Sequence, residues 1–408
     1  MGMVRKKEKR EGTSCGSELM EKEEIPAEII LEEIMWRLPV KPLARFRSVC
    51  KTFNSTISSD PKFAILQLKN SSAISTTTTT CFDRKRVMLW HGLDCTSAFF
   101  LEKKNSIFSI QKINTSPIKV NKASPYYYSI VASCDGLVCV LQQIKNEVGS
   151  VSNSIMFWNP LTGETKRVSD PSTYPHLTKW FTYGLGYDSS TDDYKLVQLN
   201  LGFERHEIGL FQPNRADVFS LRANSWRQIQ GFPSSNLICS FRPGVFNNGA
   251  LHWTCFSKDN SPNYHYKVVS FCLEKEKYTL LDISAIDFRL HNHYHVGIQV
   301  LGDKLAVYYP SNVNGSYHLL FTNLYDNSES WTDHIVTMPN DKWFSTPLCL
   351  FENVGEVLFQ VSGGQLGVYR LKDGTFRHLN ILDLPETFQA MIFSESLISP
   401  NTYKGTRN

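Results

Sequence analysis

The chain has 408 residues, with 43 basic against 39 acidic side chains and a formal net charge of +4. So small a surplus excludes the electrostatic footprint of a dedicated nucleic-acid binder, and the lack of any long apolar run excludes a membrane-spanning helix. A hydrophobic share of 41% with 20% charged residues is that of a globular protein long enough for two domains, and 12% aromatics suit a β-rich chain.

Residues 1–22 read as a polar, disordered basic tail without the apolar core of a secretory signal. Its run Arg5-Lys6-Lys7-Glu8-Lys9-Arg10 is a solvated tail in one reading and a nuclear import signal in the other. No C-x-x-C pair occurs, so zinc spacing is absent. Cys139 and Cys272 sit in apolar runs, as buried reduced thiols do, which points to a reducing compartment and a cytoplasmic or nuclear location.

The segment 23–70 is the most patterned part of the chain. Pro26 fits the first turn of a helix, where its missing N–H is not needed, and Ile30, Leu31, Ile34 and Leu38 follow at helical spacing. Pro39 stops that helix. Pro42 restarts one whose apolar stripe is Leu43, Phe46, Val49, Cys50 and Phe53, with Arg45, Arg47 and Lys51 on the other face. Ser59-Asp60-Pro61 reads as a cap with proline at the first position of a further helix. A unit of this size cannot bury a sufficient core alone, so its apolar face needs the rest of the chain or a partner.

Ile25-Pro26, Leu38-Pro39-Val40-Lys41, Leu43, Arg45-Phe46-Arg47-Ser48-Val49-Cys50-Lys51 and Ile57 resemble the F-box. The form LPVKPLxRFRSVCK resembles the plant group in which an F-box precedes an F-box-associated domain. Ile25 stands where the family has leucine, and Phe53 where it usually has tryptophan. The resemblance implies binding to the small adaptor of SCF-type cullin–RING ubiquitin ligases, and through it to the cullin and RING subunits. The contact residues it implies are Ile25, Pro26, Leu38, Pro39, Val40, Leu43, Phe46, Val49, Cys50 and Lys51.

Residues 71–81 read as a linker with a threonine run, and 82–400 as an all-β domain starting with a strand at Arg86–Trp90. Asp135-Gly136, Asn248-Gly249 and Asp373-Gly374 each lie between apolar runs and supply the positive φ that tight hairpins need. Gly249, Gly302 and Gly355 recur at equal spacing, and Tyr278 and Trp331 share that period. Repeats of roughly 50 residues with four strands each predict a β-propeller of about six or seven blades, a stacked sandwich pair being the alternative. Trp158, Trp226, Trp253 and Trp331 are expected in the blade cores.

Ser133-Cys134-Asp135-Gly136, Trp158-Asn159-Pro160-Leu161-Thr162-Gly163-Glu164, Gly184-Leu185-Gly186-Tyr187-Asp188 and Gly249-Ala250-Leu251-His252-Trp253 resemble hallmarks of the F-box-associated domain. That resemblance implies a target-protein receptor with no catalytic residue, cofactor or metal of its own.

Candidate chemistry is sparse. His291, His293 and His295 alternate, which on a strand would place them on one face, as a metal site or as plain surface. Asp188, Asp192 and Asp193 read as turn chemistry rather than paired catalytic carboxylates. The stretches 169–180, 200–212, 257–266 and 291–295 are the loop candidates for contact. The expected function is thus the target-recognition subunit of a ubiquitin ligase, bridging adaptor and target. A propeller enzyme, or a lectin-like binding scaffold whose helices pack on its own β domain, stays open.

Overall fold

The computed structural model describes residues 29–73, 85–91, 98–104, 107–114, 126–145, 151–169, 171, 181–202, 212–231, 233, 237–240, 242–258, 264–283, 296–311, 316–322, 331–337, 345–362 and 364–401. They form a small helical region followed by a six-bladed β-propeller.

The helical region opens with a wide turn at Ile30–Ile34 and a 3-10 turn at Met35–Arg37, ended before Pro39. Helix α1 runs Val40–Phe46, so Pro42 falls in its first turn, where no intrahelical N–H is required. The expected stripe from Leu43 to Phe53 does not lie on one helix. The chain breaks after Phe46, where the Ser48 hydroxyl donates to the Arg45 carbonyl. It restarts as α2, Lys51–Ser59, with extended Cys50 accepting from the Phe53 amide. Helix α3, Pro61–Ala73, begins as the sequence predicts: Asp60 Oδ1 accepts from the Lys62 amide at 2.9 Å. It runs to Ala73, into the segment read as linker.

Five blades are consecutive in sequence. The second holds strands Tyr126–Cys134, Leu137–Lys145, Val151–Trp158 and Thr165–Ser169, all antiparallel neighbours. The others repeat this meander, the fourth with its inner edge divided into Leu237–Cys239 and Val245–Asn247. The first blade is composite. Its three strands between Lys85 and Lys112 are completed by Phe388–Ser394, which pairs with Lys85–His91 from Lys85↔Ser394 to His91↔Phe388. Closing a ring of sheets with strands from both chain ends removes the open edges that an unfinished ring would leave.

The equally spaced glycines sit at one structural position: Gly249, Gly302 and Gly355 turn the innermost strand of blades four, five and six into the second, with φ of 77°, 68° and 61°. Asp135-Gly136 and Asn248-Gly249 have positive φ at both residues, as the tightest hairpins require. In Asp373-Gly374 only Gly374 does, and Asp373 instead caps the turn by accepting from the Thr375 amide.

The four tryptophans do not share a repeat position. Trp158 and Trp253 lie on third and second strands and are fully buried, whereas Trp226 and Trp331 lie on outermost strands and are half-buried. Tyr278 and Phe376 fill that outer position in blades four and six. Gly184 and Gly244 press on Trp253, where a Cβ at either would approach the indole to under 3 Å.

Candidate functional site

Strand direction sorts the connections into two ends. Turns from first to second strands, and from third to fourth, fall at one end; 135–136, 159–164, 189–192, 248–249 and 302–303 are among them. Connections from second to third strands, and between blades, start and finish at the opposite end. The stretches 169–180, 200–212, 257–266 and 291–295 lie largely outside the described residues, His291, His293 and His295 wholly so. The strand ends flanking all four of them fall at that second, long-connection end.

The helical region packs on the tight-turn end. A continuous buried cluster joins Met35, Val40, Leu43, Ile57, Phe63 and Ala64 to Cys134, Leu137, Leu221, Leu397 and Ile398 of the propeller. Arg47 reaches Glu164 at 3.7 Å and Lys41 reaches Glu102 at 3.8 Å, both partly exposed pairs of small energetic weight.

Asn159 fixes this end. It is fully buried and donates from Nδ2 to the carbonyls of Ser396 and Ile398 at 3.1 and 2.8 Å. Its Oδ1 accepts from the Leu161 amide at 2.9 Å and the Thr162 amide at 3.3 Å. All hydrogen-bonding capacity of one side chain therefore ties the segment after the closing strand to the second blade. Gly136 permits the same crossing, since a Cβ there would meet Ser396 Oγ. The Cys-Asp-Gly and Trp-Asn-Pro sequences thus act in ring closure.

The expected contact residues separate into two sets. Pro39, Phe46, Val49, Cys50 and Lys51 are exposed, Val49 by 63%, and Leu38 is half-buried. Two residues expected at the docking face, Val40 and Leu43, are instead 3% and 0% exposed, because the module lays them against its own interior. Ile25 and Pro26 lie outside the described residues. Exposed Ile29, Ile34 and Leu66 were not among the expected contacts. With Phe46 and Val49 they make five large apolar side chains left open in one small module.

The aspartates behave as turn residues. Asp188 accepts from Ser190 and Thr191 and pairs with Lys195 at 2.7 Å. Burial pushes its carboxyl up, but those donors outweigh it and hold it well below the usual range. Asp193 accepts from the Ser220 hydroxyl and the Arg222 amide. Burial raises the Cys134 and Cys139 thiols, the opposite of an activated nucleophile. Among the described residues no group of three metal-ligating side chains comes together, and no helix is long and apolar enough to cross a membrane.

The family model for the F-box associated beta propeller domain matches residues 86–382, and that for the F-box domain matches 24–64. This chain belongs to the F-box-associated β-propeller family. It is similar to the F-box/kelch-repeat protein At3g23880 of Arabidopsis thaliana, 26% identical over 94% of this chain and 98% of that one. It is also similar to the F-box protein CPR1 of the same plant, 27% identical over 92% and 88%. Among solved structures, the Hadza microbial sialidase Hz136 aligns at 10% identity with a TM-score of 0.41, over 72% of this chain and 73% of that one. So loose a likeness carries no argument about function.

Proposed function

We propose that this protein is the target-recognition subunit of an SCF-type cullin–RING ubiquitin ligase. The observation that carries the reading is the number of large apolar side chains that the F-box module leaves exposed. Phe46 and Val49, with Ile29, Ile34 and Leu66, stay open to solvent after the module has packed on the propeller. Several such residues left open on one small unit suit a protein–protein contact. Leu38, Pro39, Phe46, Val49, Cys50 and Lys51 would touch the adaptor, joined by Ile25 and Pro26, while Val40 and Leu43 support that face from beneath.

The long-connection end of the propeller would take the target, on the side away from the adaptor. The chain's contribution is then proximity, raising the effective concentration of target lysines near the ubiquitin-charged enzyme, without covalent chemistry of its own. Such a role suits the cytoplasm or nucleus. Co-expression of the full chain with the small adaptor tests the reading. A stoichiometric complex on size exclusion is expected; a monodisperse chain that ignores the adaptor would instead favour a binding scaffold outside ubiquitin ligases.

A further inference from the structure

The innermost strands enclose a central channel of about 470 Å³. Its wall is part apolar and part polar, with Ile298, Val300 and Ile392 beside Gln299, Gln360 and Gln389. Among the described residues one full cation lines it, Arg242, from the segment that leads into Val245–Asn247.

Arg242 is held from behind. Its carbonyl accepts from the Thr182 hydroxyl at 2.7 Å, and two residues on the Gly244 amide donates to the Tyr183 carbonyl at 2.7 Å. The guanidinium crosses from the fourth blade, passes 5.3 Å over the Tyr308 ring of the fifth, and donates from Nη1 to Thr346 Oγ1 of the sixth at 3.2 Å. Its Nε is buried and has no hydrogen-bond partner. Among the described residues no carboxylate pairs with it. Asp135, the one acid among the described lining residues, belongs to a turn at the opposite end.

Other donors gather at the same depth. Thr346 and Gln389 are each the second residue of an inner strand, and Tyr308 pairs with Gly297, the first residue of another. A Cβ at Gly297 would collide with the Tyr308 hydroxyl, so glycine leaves that ring its place. Gln389 uses its Oε1 to accept from the Ile130 amide, which leaves its Nε2 for the channel. All of these residues lie at the long-connection end, away from the F-box.

We infer that this end of the channel binds a carboxylate borne on an apolar body. Arg242 lines the channel half-buried, with no carboxylate pairing with it among the described residues, and the planar edge of its guanidinium matches a carboxylate. Charge balance favours a monoanion. A phosphate monoester carries about −1.5 to −2, more than the one positive charge that Arg242 sets against it among the described residues. The carboxylate belongs either to a free small acid or to the C-terminus of a bound peptide. The inference stands on the channel alone and does not depend on the adaptor reading.

Isothermal titration of the full chain tests it, using benzoate, an apolar tripeptide with a free C-terminus, the same peptide amidated, and inorganic phosphate. One saturable site for benzoate or the free-acid peptide is expected, with no binding of the amidated form, and whichever probe binds identifies the source. Arg242→Gln should weaken that site at least tenfold. Gln389→Glu should do the same by setting a like charge beside the ligand, while its carboxylate still accepts from the Ile130 amide. If Arg242→Gln fails to melt cooperatively, Gln389→Glu decides. Absence of saturable carboxylate binding, equal binding by both folded variants, or tighter binding of phosphate would overturn the inference.

Discussion

The propeller and the F-box module solve the same burial problem to different degrees. The propeller repeats one four-stranded unit and closes the ring with Phe388–Ser394, so that many of its large side chains, Trp90, Trp158 and Trp253 among them, lose all contact with water. The module has short, interrupted helices and leaves Val49 more than half exposed. One region is finished within the chain, and the other keeps an apolar face for something else. Stability should therefore reside in the closure, and docking in residues that contribute little to stability.

The comparison breaks most severely if the chain ends before Phe388. The first blade then loses its inner strand and every backbone pair from Lys85↔Ser394 to His91↔Phe388. Loss of cooperative thermal unfolding is expected, read by circular dichroism, together with aggregation on size exclusion.

Asn159→Ala is the next largest break. It leaves the Ser396 and Ile398 carbonyls and the Leu161 amide without their partner. An unmet buried group costs about 1–3 kcal/mol, so a destabilisation of about 2–4 kcal/mol is expected. A clear fall in melting temperature would register it, with the F-box face unaffected.

The fourth blade sharpens the comparison through pH. His252 is buried between Ser270 and the Asn247 carbonyl, and burial lowers its pKa to about 4. The unfolded imidazole titrates near 6.5. Between those values the unfolded state binds the extra proton, so stability falls as pH drops from about 6.5 to 4, by about 3 kcal/mol in total. His252→Gln should flatten the dependence of melting temperature on pH across that window. An unchanged slope would show that the imidazole is free to protonate in the folded state.

The smallest expected effect on stability is that of Val49→Asp. An exposed substitution away from caps and core changes stability by roughly 0.5 kcal/mol or less. Differential scanning fluorimetry should find its melting temperature within a degree or two of the unchanged chain.

Much of the propeller was legible because its signals are local. Asp135-Gly136 and Asn248-Gly249 announce hairpins through backbone chirality alone, and the equal spacing of Gly249, Gly302 and Gly355 exposes the repeat. The composite first blade was not legible, since pairing between residues 85 and 394 leaves no mark at any short range. Asn159 stood in a visible motif, yet the two carbonyls it binds lie more than two hundred residues away. In the module, heptad-like spacing implied one stripe from Leu43 to Phe53. Cys50 acting as a helix cap divides that stripe, and a thiol is an uncommon cap. Arg242 carried no signal at all, because a single arginine before a short strand resembles any surface cation until the inner strands surround it.

On the proposed reading, the apolar residues that the F-box leaves open serve the adaptor and not this chain's own stability. The affinity of the full chain for the small adaptor, measured by surface plasmon resonance for the unchanged protein and for Val49→Asp at matched thermal stability, tests it most directly. Binding should fall at least tenfold with no change in melting temperature. Equal affinity, or a loss of binding that only accompanies unfolding, would contradict it.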